Sequence, residues 1–155
     1  MKKALSLLFC GVSLCGCANA STHFLVFANK LGVEMPTMYD KVFSASESAI
    51  DQSMYYDIYQ ITDDWTLKYT DQYVTEFKDD FDLSSYIDKI NTHRAFNVPE
   101  EHYIPKDASL DWVCRRGKDT VRDARNGEWL LIFDKETKLL YALESYHQLT
   151  TALLA

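Results

Sequence analysis

Two apolar runs near the end of the chain, Glu128-Trp129-Leu130-Leu131-Ile132-Phe133 and Lys138-Leu139-Leu140-Tyr141-Ala142-Leu143, flank the polar tetrapeptide Asp134-Lys135-Glu136-Thr137. Short runs rich in branched and aromatic residues on either side of a polar connection read as a β-hairpin. Neither run alternates apolar with polar residues, so both faces of the hairpin must be covered, and its strands belong at the centre of a sheet. The rest of the chain has to supply that cover.

Helices are the expected cover. Thr37 can cap a helix over residues 38–52, with Met38, Val42, Phe43 and Ile50 on one side. Asp63 or Asp64 opens another over residues 65–81, where Tyr69, Tyr73, Phe77 and Phe81 recur every four residues and Asp71, Glu76, Lys78, Asp79 and Asp80 form the solvated side. Ser84 or Ser85 starts a short helix through Ile90, with Asp88 closing a capping box. Residues 53–62 alternate as a strand does, or continue the preceding helix. Residues 23–27 are a strand or the start of a helix through Leu31. Residues 91–109, with Pro99 and Pro105, are irregular; 110–114 read as a strand, 118–125 as a short helix or loop, and Asn126-Gly127 as a tight turn. A last short helix is expected over 146–155. The expected fold class is α+β, with N-terminal helices packed on a small antiparallel sheet that ends in the C-terminal hairpin, as one domain over residues 23–155.

The start of the chain is of another kind. Lys2 and Lys3 precede an uncharged apolar run that closes on small residues, the layout of a bacterial export signal, and the run is too short for a good transmembrane helix. Within it, Leu14-Cys15-Gly16-Cys17 resembles the lipobox of bacterial lipoproteins. The resemblance implies cleavage after residue 16, acylation of Cys17, a tether over 17–22, and attachment to an envelope membrane. Ala18 after the lipidated cysteine implies outer-membrane delivery. Ala18-Asn19-Ala20 also fits the small-x-small pattern of ordinary signal cleavage, which would leave a soluble periplasmic or secreted protein.

Removing this segment takes away Cys10 and Cys15 and lipidates or removes Cys17, so Cys114 is the one thiol left and no intramolecular disulfide is expected. The chain is 47% hydrophobic, enough to fold without that staple. Its formal charge is -7, and loss of Lys2 and Lys3 makes it more acidic. That sign argues against nucleic acid as the partner and favours a basic protein.

The common catalytic signatures and clustered glycines are absent from the sequence, which demands no cofactor and no metal. Four groupings remain. Cys114 with His93, His102 or His147 would make a nucleophile and base if the fold joined them, but Trp112-Val113-Cys114 is apolar and reads as a buried thiol. Glu100-Glu101-His102 with His93 offers metal-ligand types, although adjacent residues rarely converge on one ion. Asp63, Asp64, Asp79, Asp80 and Asp82 suit paired-acid chemistry or, more simply, capping and solvation. Arg115, Arg116, Lys118, Arg122 and Arg125 form an anion or partner site, or pair with the acidic segment over 63–82. The sequence reading is an exported envelope binding protein, an inhibitor or immunity-type lipoprotein. It would hold a basic toxin or hydrolase through Asp63, Asp64, Asp79, Asp80, Arg115, Arg116 and Arg122. The alternatives are a small hydrolase using Cys114 and His102, and a structural or assembly lipoprotein.

Overall fold

The structure is a computed structural model that describes residues 22–49, 52–68, 82–106, 109–119 and 125–147. The export segment with Cys17 lies outside these residues, as do Asp79, Asp80, Arg122 and the expected C-terminal helix beyond His147.

The architecture corrects the expected class. The fold is dominated by a five-stranded antiparallel sheet, and only two short α-helices accompany it among the described residues. Helix α1 (Thr22–Leu31) comes first, then strands β1 (Tyr39–Ser48) and β2 (Gln52–Ile61), helix α2 (Leu83–Asn91), a 3-10 turn (Glu100–His102), and strands β3 (Leu110–Asp119), β4 (Arg125–Asp134) and β5 (Leu139–His147). The strand order is β1-β2-β5-β4-β3.

The largest single correction falls on residues 38–52, where a helix is expected and β1 is found. The apolar positions that suggest a helical stripe include Met38 and Val42, and both are exposed. Phe43, Ala45 and Glu47 instead alternate as the half-covered side of an edge strand, with serines between them. A register shift between Lys41 and Phe43 lets the strand keep that alternation against β2. The helix expected over 65–81 is not present over Trp65–Lys68, and the rest of it lies outside the described residues. Trp65 packs edge-on against Phe133 at 5.1 Å and donates its indole N–H to the Glu34 carbonyl.

Other expectations resolve locally. Residues 53–62 form β2, and residues 23–27 lie in α1. Helix α2 is capped by Asp82, whose carboxylate accepts from Ser85 N at 3.2 Å, two residues before Ser84 and three before Ser85. Asn126-Gly127 is not a turn: it lies inside β4, opposite Lys118 and Gly117. The hairpin turn between β4 and β5 is built by Asp134, which accepts from Glu136 N and from the Thr137 hydroxyl, while Lys138 takes a left-handed φ of 59°.

The sheet is covered on both sides, as its two-faced apolar strands require. On one face α1 contributes Phe24, Phe27 and Leu31, which pack on Tyr59, Leu131, Phe133, Leu140 and Trp129. On the other, α2 and the chain after it contribute Ile87, Ile90, Phe96, Val98 and Ile104 to a second core with Tyr56, Ile58, Leu130, Ile132, Tyr141 and Leu143. Alternate residues of β4 and β5 feed alternate cores. Gly127 has a specific reason to be glycine, since a Cβ there would lie 2.4 Å from the Trp129 ring.

Candidate functional groove

The end of the sheet nearest α2 carries a row of side chains that the sequence scatters widely. Antiparallel register places Arg116 opposite Glu128, Glu128 opposite Ser145, Ser145 opposite Met54, and Met54 opposite Glu47. At about 4.8 Å per strand, the row crosses the five strands over roughly 19 Å. Directly inside it runs the apolar row Cys114, Leu130, Leu143, Tyr56 and Ala45, which belongs to the α2-side core. His147 and Gln52 lie one step further out.

Helix α2 roofs this floor. Tyr86, Lys89 and Ile90 follow helical spacing toward the sheet, and His93 continues the line just past the Thr92 cap. The helix end is pinned by Asn91, whose side-chain amide donates to the Ile104 carbonyl at 3.0 Å and accepts from Ile104 N at 2.9 Å. Below it Phe96 stacks on Tyr56 at 5.4 Å and meets the His93 ring at 4.4 Å, which fixes the imidazole over the β1 side. Between roof and floor lie a cavity of about 350 Å³ lined by Met54, Ser145, Ile90 and His93, and one of about 630 Å³ lined by Arg116, Glu128, Gly117 and Gly127. Tyr86, Lys89 and His147 border both, so the two form one groove.

Glu128 is its buried polar centre, with 8% of the residue exposed. Its Oε2 accepts from Arg116 Nε, and its Oε1 is buried with no hydrogen-bond partner. Burial pushes its carboxyl up to about 7, and the Arg116 charge pulls against that rise. A carboxyl raised on folding holds its proton more tightly in the native state, so its contribution is fully present below the unfolded value and fades as pH rises through about 7. Glu128→Gln should therefore gain stability relative to wild type between pH 5 and pH 8. The gain should be of order 1 kcal/mol once Arg116 and solvent screening are discounted. Urea denaturation at both pH values checks it, and an unchanged difference would show that Arg116 keeps the carboxylate ionised throughout.

At the other end, His93 Nε2 faces Glu47 Oε2 at 3.6 Å, while Nδ1 is buried without a partner. His147 Nε2 lies 3.1 Å from Ser145 Oγ. Lys89 and Arg94 are exposed along the rim. A third cavity, lined by Glu47, Gln52, Lys89, His93 and Arg94, continues the groove over the β1 edge.

The residues singled out by sequence are distributed otherwise. Cys114 is buried in the α2-side core, and burial pushes its thiol up to about 11 against the pull of Arg116. His102 packs its ring against Phe43 of β1, 6.0 Å between centroids. Because β1 and β3 are opposite edges of the sheet, His102 and Cys114 stand roughly four strand spacings, about 19 Å, apart. Asp63 is a local clamp: desolvation works upward on its carboxyl, but bonds from Trp65 N, the Thr37 hydroxyl, Met38 N and Thr37 N outweigh it and hold the value low. Asp64 beside it is exposed. Arg115 reaches the α1 side and donates to the Lys30 carbonyl at 2.7 Å, whereas Arg116 points into the groove. Of the cations in that sequence cluster with described side chains, only Arg116 joins the groove. Among the described residues no three His, Cys, Asp or Glu side chains gather as a metal set.

Sequence reasoning passed over Glu128, Ser145 and Lys89 as site residues and weighed His147 only as a base for Cys114, because strand register and the seating of α2 bring them together. It also passed over Asp57 as anything but a strand residue. Asp57 is buried on the α1 side, where Lys41 Nζ and the Tyr59 hydroxyl donate to its Oδ2 at 2.8 Å each and the Ser44 hydroxyl donates to Oδ1 at 2.6 Å. A charged residue inside the aromatic run Met54-Tyr55-Tyr56-Asp57-Ile58-Tyr59 was the available signal. Set against known proteins, the chain matches no family model, no curated protein and no solved structure.

Proposed function

We propose that this chain is an exported binding protein of the bacterial envelope, lipid-anchored through Cys17, that holds a partner protein in the groove beneath α2. The observation that carries the binding reading is the groove itself, an open cleft along α2 with apolar Met54, Leu143 and Ile90, the Arg116–Glu128 pair, and Lys89 at its rim. A concave, largely apolar surface with a few convergent polar groups is the usual form of a binding site. The export reading rests on Lys2, Lys3 and the Leu14-Cys15-Gly16-Cys17 run. With α1 starting at Thr22, acylated Cys17 would hold the domain close to the membrane surface.

An inhibitor or immunity protein that restrains a toxin or hydrolase is the simplest form of this function. The net charge of -7 attracts a basic protein at long range, while the cations at the groove decide what touches it at short range. The Cys114 hydrolase finds no such support, since burial holds the thiol protonated and His102 lies across the sheet.

Two measurements test the proposal. Mass spectrometry of the mature N-terminus should give an acylated Cys17, and an intact Met1 in envelope fractions would overturn export. Affinity capture from envelope extract should recover a protein with the wild-type chain and lose it with Lys89→Glu. Equal recovery by both would remove the groove as the docking site.

A further inference from the structure

On the opposite face of the sheet from the groove, α1 and the chain that leads into β1 enclose a second concavity. Gly32 ends α1 in a left-handed conformation, φ 66°, with its N–H on the Ala28 carbonyl, and turns the chain back along the helix. Tyr39 thereby reaches the first turn of α1, 4.4 Å from the Phe24 ring. The returning segment is pinned from the far side: the Trp65 indole donates to the Glu34 carbonyl at 2.8 Å, and Asp63 Oδ2 accepts from Thr37 N and Met38 N at 3.3 Å each.

The cavity so formed measures about 270 Å³ and is lined by Phe24, Leu25 and Ala28 of the helix and by Met35, Pro36 and Tyr39 of the returning chain. That is below the roughly 300–1,000 Å³ of small-molecule sites and suits one large apolar side chain, the usual anchor of a protein interface. Leu25 in the helix and Met38 in the segment are 57% and 59% exposed, so apolar area here faces outward as well as into the core.

The rim is acidic. Glu34 precedes Met35, Asp40 follows Tyr39, and Asp63, bonded to the Thr37 hydroxyl in the cavity wall, is followed by Asp64. The donors on Asp63 are neutral groups that leave its charge uncancelled, and among the described residues Glu34, Asp40 and Asp64 make no ion pair. The lysines of α1 and β1 are turned elsewhere, Lys30 over the Trp129 ring and Lys41 to Asp57. Charge then selects the occupant. Four carboxylates around an apolar cavity repel a second copy, whose rim has the same sign, and an anionic lipid surface; they attract lysine and arginine.

We infer that the corner between α1 and β1 docks a basic segment of a partner protein, with one apolar or aromatic side chain in the cavity and flanking cations on Glu34, Asp40, Asp63 and Asp64. This surface shares no residue with the groove beneath α2 and is independent of what that groove holds.

The test uses the isotope-labelled mature chain with three capped pentapeptides, Lys-Lys-Phe-Lys-Lys, Lys-Lys-Ser-Lys-Lys and Glu-Glu-Phe-Glu-Glu. Amide NMR signals of Leu25, Ala28, Thr37 and Asp64 should move with the first, move less with the second and stay fixed with the third. Leu25→Ala, and Glu34→Lys combined with Asp64→Lys, should each weaken binding of the first peptide about fivefold while signals from the rest of the sheet stay in place. These side chains are exposed, and Asp63 is left intact because it pins the cavity wall. Equal shifts with the acidic peptide, no shift with Lys-Lys-Phe-Lys-Lys, or unchanged affinity in either variant would overturn the inference. So would Leu25-dependent binding to phosphatidylglycerol vesicles or Leu25-dependent self-association in sedimentation, which would give the corner to lipid or to a second copy.

Discussion

Asp57→Ala is expected to lower stability by about 3 kcal/mol, measured by urea denaturation at neutral pH. The carboxylate is almost fully buried and satisfies Lys41, Ser44 and Tyr59 at once. Removing it takes away the carboxylate to which the buried Tyr59 hydroxyl donates at 2.8 Å, and the counter-charge of Lys41. An orphaned buried donor costs about 1–3 kcal/mol, and loss of one partner of a buried charge pair costs about 3–5. The estimate falls at the lower end because Lys41 is partly exposed and can turn to solvent. For the same reason Lys41→Ala should cost well under half as much. A cost of less than about 1 kcal/mol for Asp57→Ala would mean that the pocket readmits water.

Trp129→Ala should destabilise by about 3–5 kcal/mol, the range for deleting a large buried aromatic. Trp129 is fully buried beside Tyr146, beneath the Lys30 ammonium at 4.8 Å, and against the backbone of Gly127. Far-UV circular dichroism rather than fluorescence follows the unfolding, because the substitution removes a fluorophore. Gly127→Ala tests the same contact from the other side: the added methyl must displace the indole, and a loss of about 1–3 kcal/mol is the overpacking expectation. A neutral result for Gly127→Ala would mean that the indole moves at little cost.

These residues also mark where the sequence was readable. The β4–β5 hairpin was legible because its signal is local: two apolar runs, a polar tetrapeptide, and an aspartate able to bond the turn amides. The need for cover on both faces followed from the same runs. What was misread is β1, where Met38, Val42 and Phe43 imitate a helical stripe. Its partner β2 overrides that stripe by hydrogen bonding, and tertiary pairing of this kind leaves no trace in a window of fifteen residues. The groove was illegible for a related reason. Arg116, Glu128, Ser145, Met54 and Glu47 come from five strands, and only the complete register sets them side by side.

The strand order has a kinetic consequence. Strands β3, β4 and β5 form a meander of sequence neighbours, and β1 and β2 form a hairpin, so each set closes short loops. The β2–β5 seam joins them across most of the chain, and closing a loop that long costs on the order of 4 kcal/mol in entropy before any contact repays it. Two sub-assemblies that form early and meet late should give a slow docking phase in refolding. Substitutions on the β2 side of the seam, at Tyr56 or Ile58, should act chiefly on the unfolding rate, whereas those in the β4–β5 hairpin should slow folding itself.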